Sequence, residues 1–260
     1  MQSKLNVIFD KIYVLTIDRN TDRHPLVYAM LQNIDFEFWK GFDAGEAFPS
    51  KNYVHEIDRS FFLQNNIDRD FAISSTIGQL GAYLSIKNMI DYIANSNFKR
   101  VLIFEDDALP TRDDWVFFLL NAIKELPDDW DVLMAGYFLD GKLYKYAHNR
   151  KVRPFINLFN NLKKLNNNKK IIKKLPTKHS TYLDRSGYST GGHAYCLSNK
   201  GAKILSKHLN PMRDSGDLLF SRLVIEEKIQ SFSVNPSLFI QNRNFESKTE
   251  TVGLTKMNKL

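Results

Sequence analysis

Residues 100–110, RVLIFEDDALP, run an apolar stretch straight into three consecutive carboxylates and stop at a proline. Clustered acids repel one another and are costly to desolvate, so Glu105, Asp106 and Asp107 at the end of a buried strand need a partner. Side chains alternate along a strand, so Glu105 and Asp107 can share a face while Asp106 points elsewhere. Carboxylates so arranged suit a hard divalent cation, Mg²⁺ or Mn²⁺, which commonly completes its shell with water and substrate phosphates. The competing reading is a solvated loop whose acids cap a helix starting near Asp113-Asp114.

The elements that would position these acids follow from the apolar pattern. KIYVLTID (11–18) reads as a buried strand, PLVYAMLQN as a short helix and FEFWKGFDA (36–44) as a second strand with its exit. The segment preceding the first strand is read as part of that strand and not as a cleaved leader, since Asp10 and Lys11 interrupt its apolar runs. Residues 45–73 are irregular, with helical hints near 56–65. SSTIGQLGAYLSIKNMIDYIAN predicts a long helix, with Leu80, Tyr83, Ile86, Ile90 and Ile93 at helical spacing. The acidic strand, the helix DDWVFFLLNAIKEL and the strand WDVLMAGYF complete a β-α-β-α-β alternation, which argues for an open, largely parallel sheet. TGGHAYCLS then predicts a strand, NKGAKILSKHL a helix capped by Ser198, DLLFSRLVIEEK a further helix, and IQSFSVNPSLFIQ late short strands. Ligands of open α/β sheets bind beyond the carboxyl ends of the strands, where the acids stand.

The length of 260 residues suffices for one large α/β domain or two small ones, and a composition 43% hydrophobic and 25% charged predicts a packed core. No run approaches the ~20 apolar residues of a membrane-spanning helix. A single cysteine, Cys196, excludes an intrachain disulfide and a cysteine-based zinc site, and the cytoplasm is the simplest compartment. Gly141 to Tyr182 holds twelve Lys/Arg and no acids; without those twelve the formal net charge of +7 becomes −5, so the basicity belongs to one block. Within it, Phe155, Leu158, Phe159, Leu162 and Leu165 recur at helical spacing and lysines follow. Such a segment (153–175) can lie on an anionic membrane surface, which would make the protein a peripheral membrane protein; the plain alternative is a packed or disordered insertion. No nucleic-acid motif accompanies the charge, so no nucleic-acid partner is expected.

The succession IYVLTIDRNTDRH, STIGQLGAYLSIKNMI, RVLIFEDDALP and TGGHAYCLSNKGAKIL resembles the bacterial lipopolysaccharide and lipooligosaccharide glycosyltransferases of family 25, which are related to the collagen galactosyltransferases. The resemblance implies a single GT-A-like domain over 1–260, an open mixed, mostly parallel sheet flanked by helices, with a basic insertion at 141–182 and a polar tail at 248–260. It implies a UDP-hexose donor, often UDP-galactose, a lipid-linked oligosaccharide acceptor, Mn²⁺ or Mg²⁺ at the acidic motif, and inversion at the anomeric carbon.

Carried onto this chain, the resemblance places Asp18, Arg19, Arg23, Gln79 and Asp106 at the nucleotide and its diphosphate, and Glu105 and Asp107 at the metal. Gly192, His193 and Tyr195 fall nearest the acceptor side, and Glu246-Ser247 matches a late block. Breaking an anomeric C–O bond through an oxocarbenium-like state requires stabilised diphosphate charge and a general base for the acceptor hydroxyl. Asp217 is the first choice for that base, then Asp214, then His193. The family's usual GE-GC-LSH pattern reads GQLGAYLSI here, so the acid is Gln79, the cysteine Ala82 and the histidine Ile86. Those departures leave an alternative of another class: a non-catalytic membrane- or polyanion-binding protein on a degenerate glycosyltransferase scaffold.

Overall fold

The computed structural model describes residues 3–139, 175–214 and 216–245. Helix α1 (Lys4–Ile8), strand β1 (Lys11–Thr16), α2 (His24–Met30) and β2 (Glu37–Lys40) open the chain. Short helices α3 (Ala44–Ala47), α4 (Arg59–Asn65) and α5 (Arg69–Ser74) lead into the long α6 (Ile77–Asn95). Then come β3 (Arg100–Glu105), β4 (Ala108–Pro110), α7 (Trp115–Lys124) and β5 (Val132–Phe138). β6 (Thr177–Lys178) falls within the end of the basic block, and β7 (Leu183–Arg185), β8 (Thr190–Ser198), α8 (Asn199–His208), α9 (Gly216–Ile225), β9 (Ser231–Val234) and β10 (Phe239–Gln241) follow it. The segment 153–174 and the tail 248–260 lie outside the described residues.

The sheet order is β2-β1-β3-β8-β5-β9-β7-β6, with β10 pairing β4 and β5. Strands β2, β1 and β3 are mutually parallel neighbours, and β5 is parallel to β9 and β10. β8 runs antiparallel to both β3 and β5 and so joins the two parallel groups. This is the open mixed, mostly parallel sheet that the alternation and the resemblance led us to expect. The direction of β8 matters most for function, because it sets the amino end of that strand beside the carboxyl end of β3.

Strict alternation feeds a core on each face of the sheet. Tyr13, Val101, Ile103, Met134, Tyr195 and Leu197 meet α6, α8 and α9 on one side. Ile12, Val14, Leu102, Phe104, Leu133 and Cys196 meet α1, α2 and α7 on the other. The helical stripe expected on α6, from Leu80 to Ile93, is buried throughout. Ser198 caps α8 as expected, its hydroxyl accepting from Gly201 N at 3.0 Å.

Three details depart from the sequence reading. Residues 4–8 form a helix rather than an extension of the first strand. Ser3 caps it, and Leu5 and Phe9 bury against the sheet. Residues 45–73, expected to be irregular apart from helical hints near 56–65, hold three short helices with caps from Asp43, Asp58 and Asp68, and α4 answers to those hints. Strands β4, β6 and β7 were not foreseen, being too short to show a period.

Candidate active site

A cleft of about 690 Å³ opens at the sheet edge where β1, β2, β3 and β5 end and β8 begins. Its walls are the exit of β1 (Thr16, Ile17, Arg19, Asn20), the turn Gly41–Gly45 after β2, the first turns of α6, and Thr190–His193. Glu105, Asp106 and Asp107 lie on its floor.

The three acids have separate roles. Asp106 is buried and accepts from Thr16 Oγ1 at 2.6 Å, Asn20 Nδ2 at 2.9 Å and Arg23 NH1 at 2.5 Å. Its own N–H donates to Leu15 O at 3.1 Å, which extends the β1–β3 ladder by one step. Asp106 thus fixes the loop after β1 to the end of β3, and the side chains of both Arg23 and Asp106 are under 10% exposed. A buried pair of this kind needs the additional donors it has here, because each ion loses its hydration.

Glu105 and Asp107 both line the cleft, although β3 ends at Glu105 and Asp106-Asp107 form the turn into β4, so strand alternation does not extend to them. His193, at the start of β8, places Nδ1 3.2 Å from Glu105 Oε2. One ligand atom from each of Glu105, Asp107 and His193 lies within 4.8 Å of the others. Asp107 accepts from Gln241 Nε2 at 3.1 Å through Oδ2, while Oδ1 is buried with no partner. Burial and the neighbouring Glu105 carboxylate push Asp107 up to about 6, against the opposing pull of the Gln241 amide and Arg23. An orphaned buried carboxylate oxygen beside a second carboxylate and an imidazole is a donor set that fits a divalent cation.

Gly191 holds the histidine from behind. It has φ +75°, and a Cβ there would lie 2.7 Å from His193 Nε2. Gly191→Ala therefore incurs both a left-handed backbone cost and a clash with the ring. We expect a loss of about 1–2 kcal/mol of stability from the backbone alone, read from urea denaturation.

Arg19 lines the cleft and pairs with Asp43, Nε to Oδ2 at 2.8 Å. Asp18 pairs with Lys40 on the exposed surface and is not part of the cleft wall. Gln79 lines the cleft from the capping box of α6, its Oε1 accepting from Thr76 N at 2.9 Å. Glutamate and glutamine both close such a box, so Gln79 keeps the helix start intact. Asp214 accepts from Arg222 Nε at 2.6 Å and is not part of the cleft wall. The backbone of Asp217 lies in the first turn of α9, next to Gly216, which lines the cleft; its side chain is outside what is described. Gly192 also lines the cleft, whereas Tyr195 is core and its hydroxyl has no partner. Glu246-Ser247 lie outside the described residues. Thr16, Asn20, Phe138, Gln241 and Arg243 belong to the site and were missed. Only the polar QNRN run (241–244), from the last residue of β10 onward, offered a signal in the sequence.

No curated protein matches the chain in sequence. Among solved structures, an active-site mutant of LgtC is 13% identical over 82% of this chain and 70% of its own, with a TM-score of 0.37. A197 from STIV is 10% identical over 93% and 98%, TM-score 0.33. Mouse xyloside xylosyltransferase 1, apo form, is 11% identical over 84% and 62%, TM-score 0.32. Likenesses this distant carry no functional argument. The family match does: the model of glycosyltransferase family 25 (LPS biosynthesis protein) covers residues 9–220, from before β1 into α9. With the acidic end of β3, the start of β8 and the capped start of α6 all inside that span, the chain belongs to glycosyltransferase family 25.

Proposed function

We propose that this glycosyltransferase is metal-dependent and inverting, and that it moves a hexose from a UDP-sugar to a lipopolysaccharide or lipooligosaccharide acceptor. Galactose is the first donor sugar to test. The observation that carries the reading is the cluster of Glu105, Asp107 and His193 on the cleft floor, with Asp107 Oδ1 buried and unpartnered. Glu105, Asp107 and His193 would hold Mn²⁺ or Mg²⁺, which supplies Lewis-acid stabilisation of a leaving diphosphate. Asp106, through Thr16, Asn20 and Arg23, keeps the loop after β1 in place as the nucleotide wall, and Arg19 and Gln79 line the same cleft. Asp217 is the base that takes the acceptor proton: Asp214 is committed to Arg222, and His193 to the carboxylates. The basic block, with its apolar stripe, would hold the enzyme on the anionic inner leaflet where a lipid-linked acceptor resides. No helix among the described residues is long and apolar enough to cross a membrane.

Incubation with UDP-galactose, Mn²⁺ and a lipooligosaccharide acceptor should release UDP. Absence of turnover and of binding with every UDP-sugar tried would overturn the reading. A pH dependence follows from Asp107. Its carboxyl is held protonated up to about 6, so a cation must displace a proton below that point. Mn²⁺ affinity should therefore level off above pH ~7 and fall by at least about tenfold per unit well below pH 6. The same shift acts oppositely on the metal-free fold, because a raised carboxyl pKa favours the folded state at low pH and that contribution is lost as pH rises through about 6. Calorimetric Mn²⁺ titrations between pH 5 and 8 check the sign.

A further inference from the structure

Four cationic side chains line the cleft among the described residues: Arg19, Arg23, Lys51 and Arg243. Two of them are already committed. Arg23 bonds to Asp106 and approaches Asp107 at 3.5 Å, and Arg19 pairs with Asp43. Lys51 stands exposed on the loop after α3. Arg243 has no carboxylate partner among the described residues, yet its position is fixed by its neighbours. β10 pairs antiparallel with β4 through Gln241 and Ala108, Gln241 Nε2 donates to Asp107 Oδ2, and Asn242 N donates to Asp107 O at 2.8 Å. The next residue is Arg243, whose guanidinium lies 5.6 Å from the centroid of Phe138. Phe138 in turn meets the His193 ring edge-on at 4.6 Å. An arginine laid on an aromatic face keeps its donor fork oriented while leaving it open to an anion.

We propose that Arg243 is a catalytic residue that binds the diphosphate of the nucleotide sugar and stabilises the charge that grows there. This rests on the transferase reading above. Glu105 and Asp107 together match the charge of a divalent cation, so the phosphates need a further cation. In the transfer, the acceptor oxygen forms a bond to the anomeric carbon and its proton passes to the base carboxylate. The bond from that carbon to the diphosphate oxygen breaks, with the electron pair staying on the diphosphate. The diphosphate thereby gains one negative charge, and a guanidinium fork meets phosphate oxygens bidentately.

The test is calorimetric titration of the full-length protein with UDP and, separately, uridine in the presence of Mn²⁺, for wild type, Arg243→Ala and Arg243→Lys. Arg243→Ala should weaken UDP binding by roughly 10- to 100-fold, the range of a lost charge-assisted bond. It should leave uridine affinity and nucleotide-free Mn²⁺ affinity unchanged, and Arg243→Lys should recover part of the loss. Retained Mn²⁺ affinity shows that the variant is folded at the site. Equal UDP affinity in wild type and Arg243→Ala, or equal losses for UDP and uridine, would overturn the role of Arg243 alone. A wild type that binds no UDP would instead remove the transferase reading, and this proposal with it.

Discussion

Asp107→Asn is expected to reduce sugar transfer by at least roughly 10²-fold, towards 10³, without weakening the metal-free fold. The substitution keeps shape and one oxygen but removes the charge that a divalent cation needs. Asp107 is a strained carboxylate: burial and Glu105 disfavour its ionised form, and Oδ1 has no partner. Removing that charge relieves repulsion from Glu105, so the metal-free variant should unfold at a urea concentration no lower than wild type near pH 7. Saturating Mn²⁺ should raise the wild-type midpoint by ligand linkage and leave the variant's unmoved. A dead enzyme with an undiminished fold separates a site residue from a structural one. Loss of stability alongside loss of activity would place Asp107 among the structural acids instead.

Arg23→Met should have the opposite profile, a large loss of stability. The guanidinium and Asp106 are both buried, 2.5 Å apart, and the arginine leaves behind a carboxylate supported only by Thr16 and Asn20. Breaking a buried pair from one side costs about 3–5 kcal/mol, because the remaining charge stays desolvated. Urea denaturation at pH 7 measures it. The loss should shrink in the double variant Arg23→Met/Asp106→Asn, since no uncompensated charge then remains. Arg23 is also 3.5 Å from Asp107 and helps to hold that carboxyl down. Its removal should shift the pH midpoint of Mn²⁺ binding upward.

The contrast between these two aspartates, one residue apart, was partly legible in the sequence. The apolar run signalled a buried strand ending in acids, but β3 stops at Glu105, and the division between Asp106 and Asp107 comes from the turn into β4 rather than from strand alternation. The helical stripe of α6 and the serine cap of α8 were likewise written locally. What holds Asp106 was not legible: its partners are 83 to 90 residues away, brought in by the parallel pairing of β1 with β3. His193 lies 88 residues from Glu105 and reaches it only because β8 runs against β3, a direction that no local pattern encodes. The helix at 4–8 was read as strand because a five-residue segment holds little more than one helical turn of periodicity. Gln79 looked like a lost catalytic acid in linear comparison. In three dimensions its amide oxygen closes the capping box, a role that glutamine fills as well as glutamate.

In the proposed function, Glu105, Asp107 and His193 hold a divalent cation at the diphosphate of a sugar nucleotide. Crystals grown with Mn²⁺ and UDP, measured at the manganese absorption edge, test it most directly. An anomalous peak is expected within coordination distance of Glu105, Asp107 and His193, with UDP phosphate oxygens beside it. A peak elsewhere, or bound UDP with no peak at these three residues, would contradict it.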